Sequence, residues 1–275
     1  MMKQGVYRRL FDMTGKVAVV TGGAGILGQR FCAGLADFGA SIAVVDLEEN
    51  KAIDIAANLN HEFGVPCIGI GCDVSSRLSV DAMVEQVESI LGTPDILHNN
   101  AATKGHDTAR FFTCLEEFSS ETWREIMAVN LEGMFIVAQV IGSKMAEKGR
   151  GSIIQTASIY GITGPDQRIY EGSNYLGGAI NTPPVYSASK AGVIGLTKHL
   201  ATYWAEKCVR VNALTPGGVE SGQNTTFIHR YSNRVPMGRL GQADEMVSAL
   251  IFLASDASSY MTGQNIVVDG GLSAW

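Results

Sequence analysis

Seven short runs rich in β-branched and other apolar residues alternate with amphipathic segments of helical period along this chain, and that alternation limits the fold more than any other feature. The runs fall at 16–21 (KVAVVT), 41–46 (SIAVVD), 66–71, 94–98, 151–156, 209–214 and 265–268. Between them, apolar residues recur at helical spacing over 26–38, 49–63, 74–91, 121–147, 186–206 and 243–253. Strands separated by helices cannot close as hairpins. They pair in parallel, and each crossover helix covers one face of the sheet. The expected fold class is α/β: a single-domain, Rossmann-like, doubly wound fold with a seven-stranded parallel sheet covered by helices on both faces. Right-handed crossovers then put a binding crevice at the carboxyl ends of the strands. No linker interrupts the pattern, so one catalytic domain over 15–275 is expected behind a leader at 1–14. The other architecture open here is a cofactor domain with a small substrate domain.

At 275 residues the chain can bury one sizeable core. A formal net charge of −6 without a basic block gives no reason to expect a nucleic-acid or anionic-membrane partner, although a local pocket can still take an anion. No apolar stretch reaches 18 residues without a charge, so no membrane span is expected. The N-terminus has three basic residues but no hydrophobic signal segment, and reads as untargeted. The five cysteines, Cys32, Cys67, Cys72, Cys114 and Cys208, form no C-x-x-C pair. Four lie in or beside apolar runs and read as small core residues, with no metal site expected. That usage fits a cytoplasmic protein.

The first strand runs into Thr21-Gly22-Gly23-Ala24-Gly25-Ile26-Leu27-Gly28 and then into a helix. Glycine turns the chain sharply and removes the Cβ that would keep a diphosphate from the helix N-terminus, while Gly28 lets helix and strand pack closely. Standing between a first strand and an amphipathic helix, this turn reads as a dinucleotide site. Asp46 ends the second strand, 18 residues beyond Gly28, where a carboxylate accepts from ribose hydroxyls and repels a 2′-phosphate. Leu47, Glu48 and Glu49 follow it rather than a basic residue, which favours NAD, with NADP less favoured. Asp46 could instead only cap the next helix. Asp73, at the end of the third strand, is open to both an adenine-side role and a cap role.

Tyr186-Ser187-Ala188-Ser189-Lys190 puts Tyr186 and Lys190 four residues apart on one helix face. A neighbouring ammonium favours the phenolate, so the pair can take a proton from an alcohol or return one to an alkoxide. Tyrosine and lysine at this spacing also occur on ordinary solvated helices; the nucleotide turn upstream is what gives the pair weight.

Together these residues resemble the short-chain dehydrogenase/reductase family over nearly the whole length, from Gly15 to Gly271. The matching pieces are TGGAGILG at 21–28, Asp73-Val74, NNAA at 99–102, Val129-Asn130-Leu131, GSIIQTAS ending at Ser158, YSASK at 186–190, NALTPG at 212–217 and VDGG at 268–271. The resemblance implies Tyr186 as general acid/base and Lys190 as the group that lowers its pKa and holds the nicotinamide ribose. It implies Ser158 on the reacting oxygen and Asn130 orienting a relay water. The cofactor set it implies is Gly22, Gly25, Ile26, Leu27, Gly28, Asp46, Leu47, Asp73, Val74, Asn99, Ala101, Tyr186, Lys190, Pro216, Gly217 and Val219. It also implies a homotetramer, or a homodimer. From the residues alone, Ser158 could be a strand-end cap and Asn130 a helix-interior residue satisfying backbone.

Three positions depart from the family pattern. Gly25 and Ile26 give the turn the TGxxGxxG spacing of the branch that acts on nucleotide sugars. Ala102 stands where a glycine is usual. Ser158 and Tyr186 lie 28 residues apart, about twice the usual gap. The extra stretch, 161–184, carries Asp166, Gln167, Arg168, Tyr170, Glu171, Asn174 and Tyr175, and reads as a substrate-recognition loop, a subunit contact or a tolerated insertion. A lid is expected over 219–239, with His229 as surface polarity. The sum is an NAD-dependent oxidoreductase interconverting a secondary alcohol and a ketone on a small polar hydroxylated or carbonyl substrate, a sugar, sugar derivative or polyol. The alternatives are a 3-oxoacyl thioester reductase, a nucleotide-sugar enzyme and a non-catalytic nucleotide-binding scaffold.

Overall fold

In the computed structural model, which describes residues 5–175 and 178–275, strands β1 (Val17–Thr21), β2 (Ser41–Asp46), β3 (Cys67–Gly71), β4 (Ile96–Asn99) and β5 (Gly151–Thr156) follow the expected sequence order. A two-residue antiparallel ladder, β6 (Asn174–Tyr175) with β7 (Gly178–Ala179), interrupts it before β8 (Val209–Pro216) and β9 (Asn265–Val268). The main sheet has seven strands in the order β3-β2-β1-β4-β5-β8-β9, all pairs parallel. Strand order reverses between β1 and β4, so the carboxyl ends of these two strands open the crevice that such a switch point creates.

Alternate residues of each strand serve opposite cores. Val17, Val19, Ala43 and Val45 pack with helices α4 (Arg77–Ile90), α7 (Met134–Lys148) and α8 (Pro184–Trp204). Ala18, Val20, Ile42 and Val44 pack with α2 (Ile26–Asp37), α3 (Glu49–Phe63) and α10 (Val247–Ala254). Shorter helices, α1 (Val6–Arg9), α5 (Thr108–Phe111), α6 (Ser120–Met127) and α9 (Thr225–Ser232), lie around this frame.

Several local expectations shift. The helix expected from 74 begins at Arg77, because Ser76 caps it by accepting from the Ser79 N–H. The long helix over 121–147 is α6 and α7 joined by a π-helical turn, Ala128–Gly133. The combined stretch Ser120–Lys148 is long and apolar enough to cross a membrane, but its Val137, Ile141 and Met145 are fully buried in the core. Within the described part of the leader, α1 is exposed, whereas Met13 is buried and its N–H donates to Phe38 O. Of the cysteines only Cys32 and Cys72 are core residues; Cys67 is half-buried, and Cys114 and Cys208 are exposed on turns.

Candidate active site and dinucleotide groove

β1 ends at Thr21 and the glycine turn carries the chain into α2. A Cβ on Gly28 would lie 2.0 Å from Gly22 O, so only glycine permits this closeness of turn and helix. Gly22 has φ 63°, and a Cβ there would meet Ala101 Cα at 2.9 Å. No side chain caps α2, which leaves its first amides to the space in front of them. That space is a groove of about 980 Å³, lined among others by Gly22, Gly25, Ile26, Leu27, Gly28, Asp46, Leu47, Asp73, Val74 and Ala101. Ile26 and Leu47 are 58% and 70% exposed, apolar surface of the kind a flat aromatic ring covers. A cradle that any Cβ would fill, free helix amides and an apolar wall fit an adenine dinucleotide.

Asp46 does not cap α3, whose N-cap is Glu48, without a side-chain cap bond. The Asp46 carboxylate lines the groove, and it also accepts from the Ala24 N–H at 2.9 Å and the Glu48 N–H at 3.3 Å, tying the turn to β2. Asp73 likewise lines the groove while accepting from the Ser75 N–H and hydroxyl. Lys51, one turn into α3, also lines the groove and pairs with Glu48 at 2.7 Å. Lys51 lies beyond the residues directly after Asp46 that favour NAD. The distance of three from Glu48 was the signal for Lys51.

Asn99 does not face the groove. As the last residue of β4 it turns to the α7 side, where its Nδ2 donates to Met134 O at 2.7 Å and its Oδ1 accepts from the Thr21 hydroxyl. Asn100, one pleat on, takes the groove position. Pro216 ends β8, and Gly217 packs so closely on Asp269 that a Cβ would lie 2.7 Å from its Cα. Val219 forms a bridge to Gly241 and packs partly into the α2-side core.

At the carboxyl end of β5, Ser158 starts a single 3₁₀ turn and accepts from the Tyr160 N–H at 3.3 Å, so the cap reading holds. Burial pushes the Tyr186 phenol up, and the Ser158 hydroxyl works against that rise. Lys190 is 2% exposed and donates to Thr156 O at 2.9 Å; burial brings it down to about 8. The phenol therefore feels burial first and Ser158 second, whereas the resemblance assigned the lowering to Lys190. The Asn130 amide is taken up by Thr103, accepting from its N–H at 2.7 Å and donating to its carbonyl at 3.2 Å. The backbone-satisfying reading describes that side chain, which sits on the π-turn.

The described part of the 161–184 stretch packs on α9 and the segment after it, within 219–239. Tyr170 stacks on Phe227 of α9 with centroids 5.5 Å apart, and Ile169 joins Phe227, Tyr231, Val235 and Leu240 in a separate apolar cluster. Arg230 donates to Glu171 at 3.0 Å, Arg234 to Asp166 at 2.7 Å, and Asn224 to Asn174 O. Gln167 closes the loop on itself by donating to Thr182 O and accepting from the Thr182 N–H. Tyr170 bonds the hydroxyls of Tyr160 and Thr182. Residues 176–177 and the side chain of Tyr175 lie outside the described residues. His229 is a polar residue of α9 near Asn233.

A family model described as enoyl-(acyl carrier protein) reductase matches residues 22–273. D-Threitol dehydrogenase of Mycolicibacterium smegmatis is 36% identical over 95% of this chain and 94% of its own length. A gluconate 5-dehydrogenase from Burkholderia cenocepacia, solved with NADP and tartrate, superposes with a TM-score of 0.84 at 33% identity, covering 96% of this chain and 98% of that one. An NAD⁺-bound xylitol dehydrogenase gives 0.83 at 29% identity, covering 94% and 99%. With a family model matching residues 22–273 and relatives that cover nearly the whole chain, the protein belongs to the short-chain dehydrogenase/reductase family, as an oxidoreductase acting on alcohols with a nicotinamide dinucleotide.

Proposed function

We propose that this enzyme oxidises a secondary alcohol of a polyol, sugar or sugar derivative to the ketone, and reduces the ketone in the reverse direction, with NAD as cofactor. The reading is supported by the Ser158 hydroxyl beside the Tyr186 phenol and by the buried Lys190 held on Thr156 O at the end of β5. Threitol and xylitol dehydrogenases among the relatives support the polyol class.

When bound, the dinucleotide supplies the hydride acceptor. Ser158 holds the substrate hydroxyl, and Tyr186 accepts its proton as the C–H hydride leaves; in reduction the phenol returns the proton. Lys190, a cation buried beside β5, stabilises the phenolate as charge develops, in a site where burial strengthens that attraction. Because the Asn130 side chain is engaged by Thr103, a relay role for this residue runs through its main chain at the π-turn. The 161–184 segment, with the lid, supplies the polar wall that selects the substrate.

Asp46 on the groove wall supports NAD over NADP, and Glu48 pairs with Lys51 so that neither adds a net charge there. The cytoplasmic setting and the homotetramer, with a homodimer as the smaller form, belong to the same proposal. One assay tests it: absorbance of the reduced nicotinamide over polyols, sugars and acyl thioesters, with NAD and NADP in parallel. Turnover of polyols with NAD is expected, and Tyr186→Phe should lower kcat by at least about a thousandfold at unchanged dinucleotide affinity. Turnover confined to an acyl thioester would replace this substrate class. Tighter binding of NADP would overturn the cofactor assignment.

A further inference from the structure

His98 is a fully buried histidine in β4, standing edge-on to Phe31 of α2 with centroids 4.4 Å apart. Its Nε2 lies 2.8 Å from the Thr156 hydroxyl. That hydroxyl donates to Asn100 Oδ1 at 3.3 Å, and Asn100 Nδ2 donates onward to Thr21 O at 3.2 Å and Gly22 O at 3.4 Å. The direction of the chain fixes the tautomer. Thr156 has one proton and gives it to Asn100, so the histidine must donate from Nε2. Its Nδ1 is then an unprotonated nitrogen with no partner inside the core. A buried acceptor left unmatched is a cost, which the single directed bond from Nε2 offsets.

The chain ends on two pieces of the cofactor machinery. The Gly22 carbonyl is the atom that Gly28 must approach without a Cβ, at the root of the turn that faces the groove. The carbonyl of Thr156 itself accepts from Lys190 Nζ. One residue, Thr156, thus holds the turn through its side chain and the catalytic lysine through its backbone, and His98 holds Thr156.

We propose that His98 is a positioning residue that, through Thr156, sets the glycine turn and the Lys190 ammonium in one fixed relation. It touches neither substrate nor cofactor. Burial keeps its imidazole neutral, bringing it down to about 3, so the donor direction does not reverse at working pH.

The inference rests on the groove taking a dinucleotide, which binding by the wild type checks independently. The experiment measures reduced-nicotinamide fluorescence binding, kcat and alcohol KM, and the thermal midpoint of the free protein. The variants are His98→Leu, His98→Gln, Thr156→Val and His98→Leu/Thr156→Val. His98→Leu should weaken dinucleotide binding about threefold to tenfold and lower kcat to a similar extent, with alcohol KM unchanged. Glutamine reaches with an amide N–H where Nε2 stood, so His98→Gln should restore most of both losses. Because the two residues act in series, the double variant should bind no more weakly than the worse single one. A lowered thermal midpoint with wild-type binding and kcat would make His98 a core residue only. Multiplied losses in the double variant, or a folded His98→Gln that behaves like His98→Leu, would equally overturn the proposal. If His98→Leu does not fold, Thr156→Val decides it: weakened binding supports the chain, wild-type binding refutes it.

Discussion

Lys190 holds its ammonium in a place 2% exposed, with the Thr156 carbonyl as hydrogen-bond acceptor at 2.9 Å. Burial brings its pKa from the ordinary lysine value to about 8. The unfolded chain therefore binds one more proton than the folded one between pH 8 and about 10.4, and over that window stability rises with pH. Below pH 8 the full penalty applies, up to about 3 kcal/mol at about 1.4 kcal/mol per unit. Lys190→Met removes the charge, so it should unfold at higher denaturant than wild type at pH 7, and the gain should shrink as pH approaches 10 while turnover is lost throughout. A Lys190→Met protein less stable at pH 7 would show that the bond to Thr156 outweighs the burial of the charge. Tyr186 and Lys190 were legible in the sequence because their spacing puts them on one helix face downstream of a nucleotide turn, whereas Ser158 was singled out only by the resemblance. Asn99 and Asn100 were not, since the choice between two adjacent asparagines depends on which side of the pleat meets α7.

At the scale of elements, the 161–184 insertion and α9 form one body. Tyr170 stacked on Phe227, the Arg230–Glu171 pair and the Arg234–Asp166 pair join them, and the Arg168 hydrogen bond helps to hold the Asp166 carboxyl at about 2. The apolar cluster around Phe227 carries more of this joint than the exposed ion pairs, which in water contribute little each. Phe227→Ala should loosen insertion and lid together: alcohol KM rising about tenfold, dinucleotide affinity unchanged, and limited proteolysis newly cutting within 161–184. Protection of that segment in Phe227→Ala would mean that the insertion is held elsewhere, for example by the Asn181 bond to Phe112 O. The strands and the principal helices were readable because periodicity is local. The insertion has no periodicity: a single 3₁₀ turn, set by the Asx turn at Asp166, and a two-residue ladder depend on contacts with α9 such as Tyr170 on Phe227, more than fifty residues away. The π-turn at Asn130 was hidden for the same reason, being a fault in a helix whose hydrophobic pattern runs on through it.

The whole molecule inherits a slope of stability against pH from two bases buried near the sheet, one on each side of neutrality. His98 lies in the central strand β4 and resists protonation until about pH 3. The unfolded chain takes up that proton near pH 6.5. Between those values the unfolded state binds more protons, so the contribution is complete above pH 6.5 and is lost as pH falls toward 3, by at most about 1.4 kcal/mol per unit. Lys190 adds its own rise above pH 8. The carboxyls of Asp166 and Glu245, held at about 2, lose their contribution only below the ordinary carboxylate range, so they do not shape the mild-acid limb. Because the seven main strands are paired into one sheet and both cores share it, these local costs should be read out in a single cooperative transition. Urea unfolding from pH 6.5 to pH 5 should cost wild type about 2 kcal/mol more than His98→Gln, which has no proton to refuse. Equal slopes for the two proteins would place the acid limb in other groups and show that His98 finds a proton in the folded state far more easily than its burial allows.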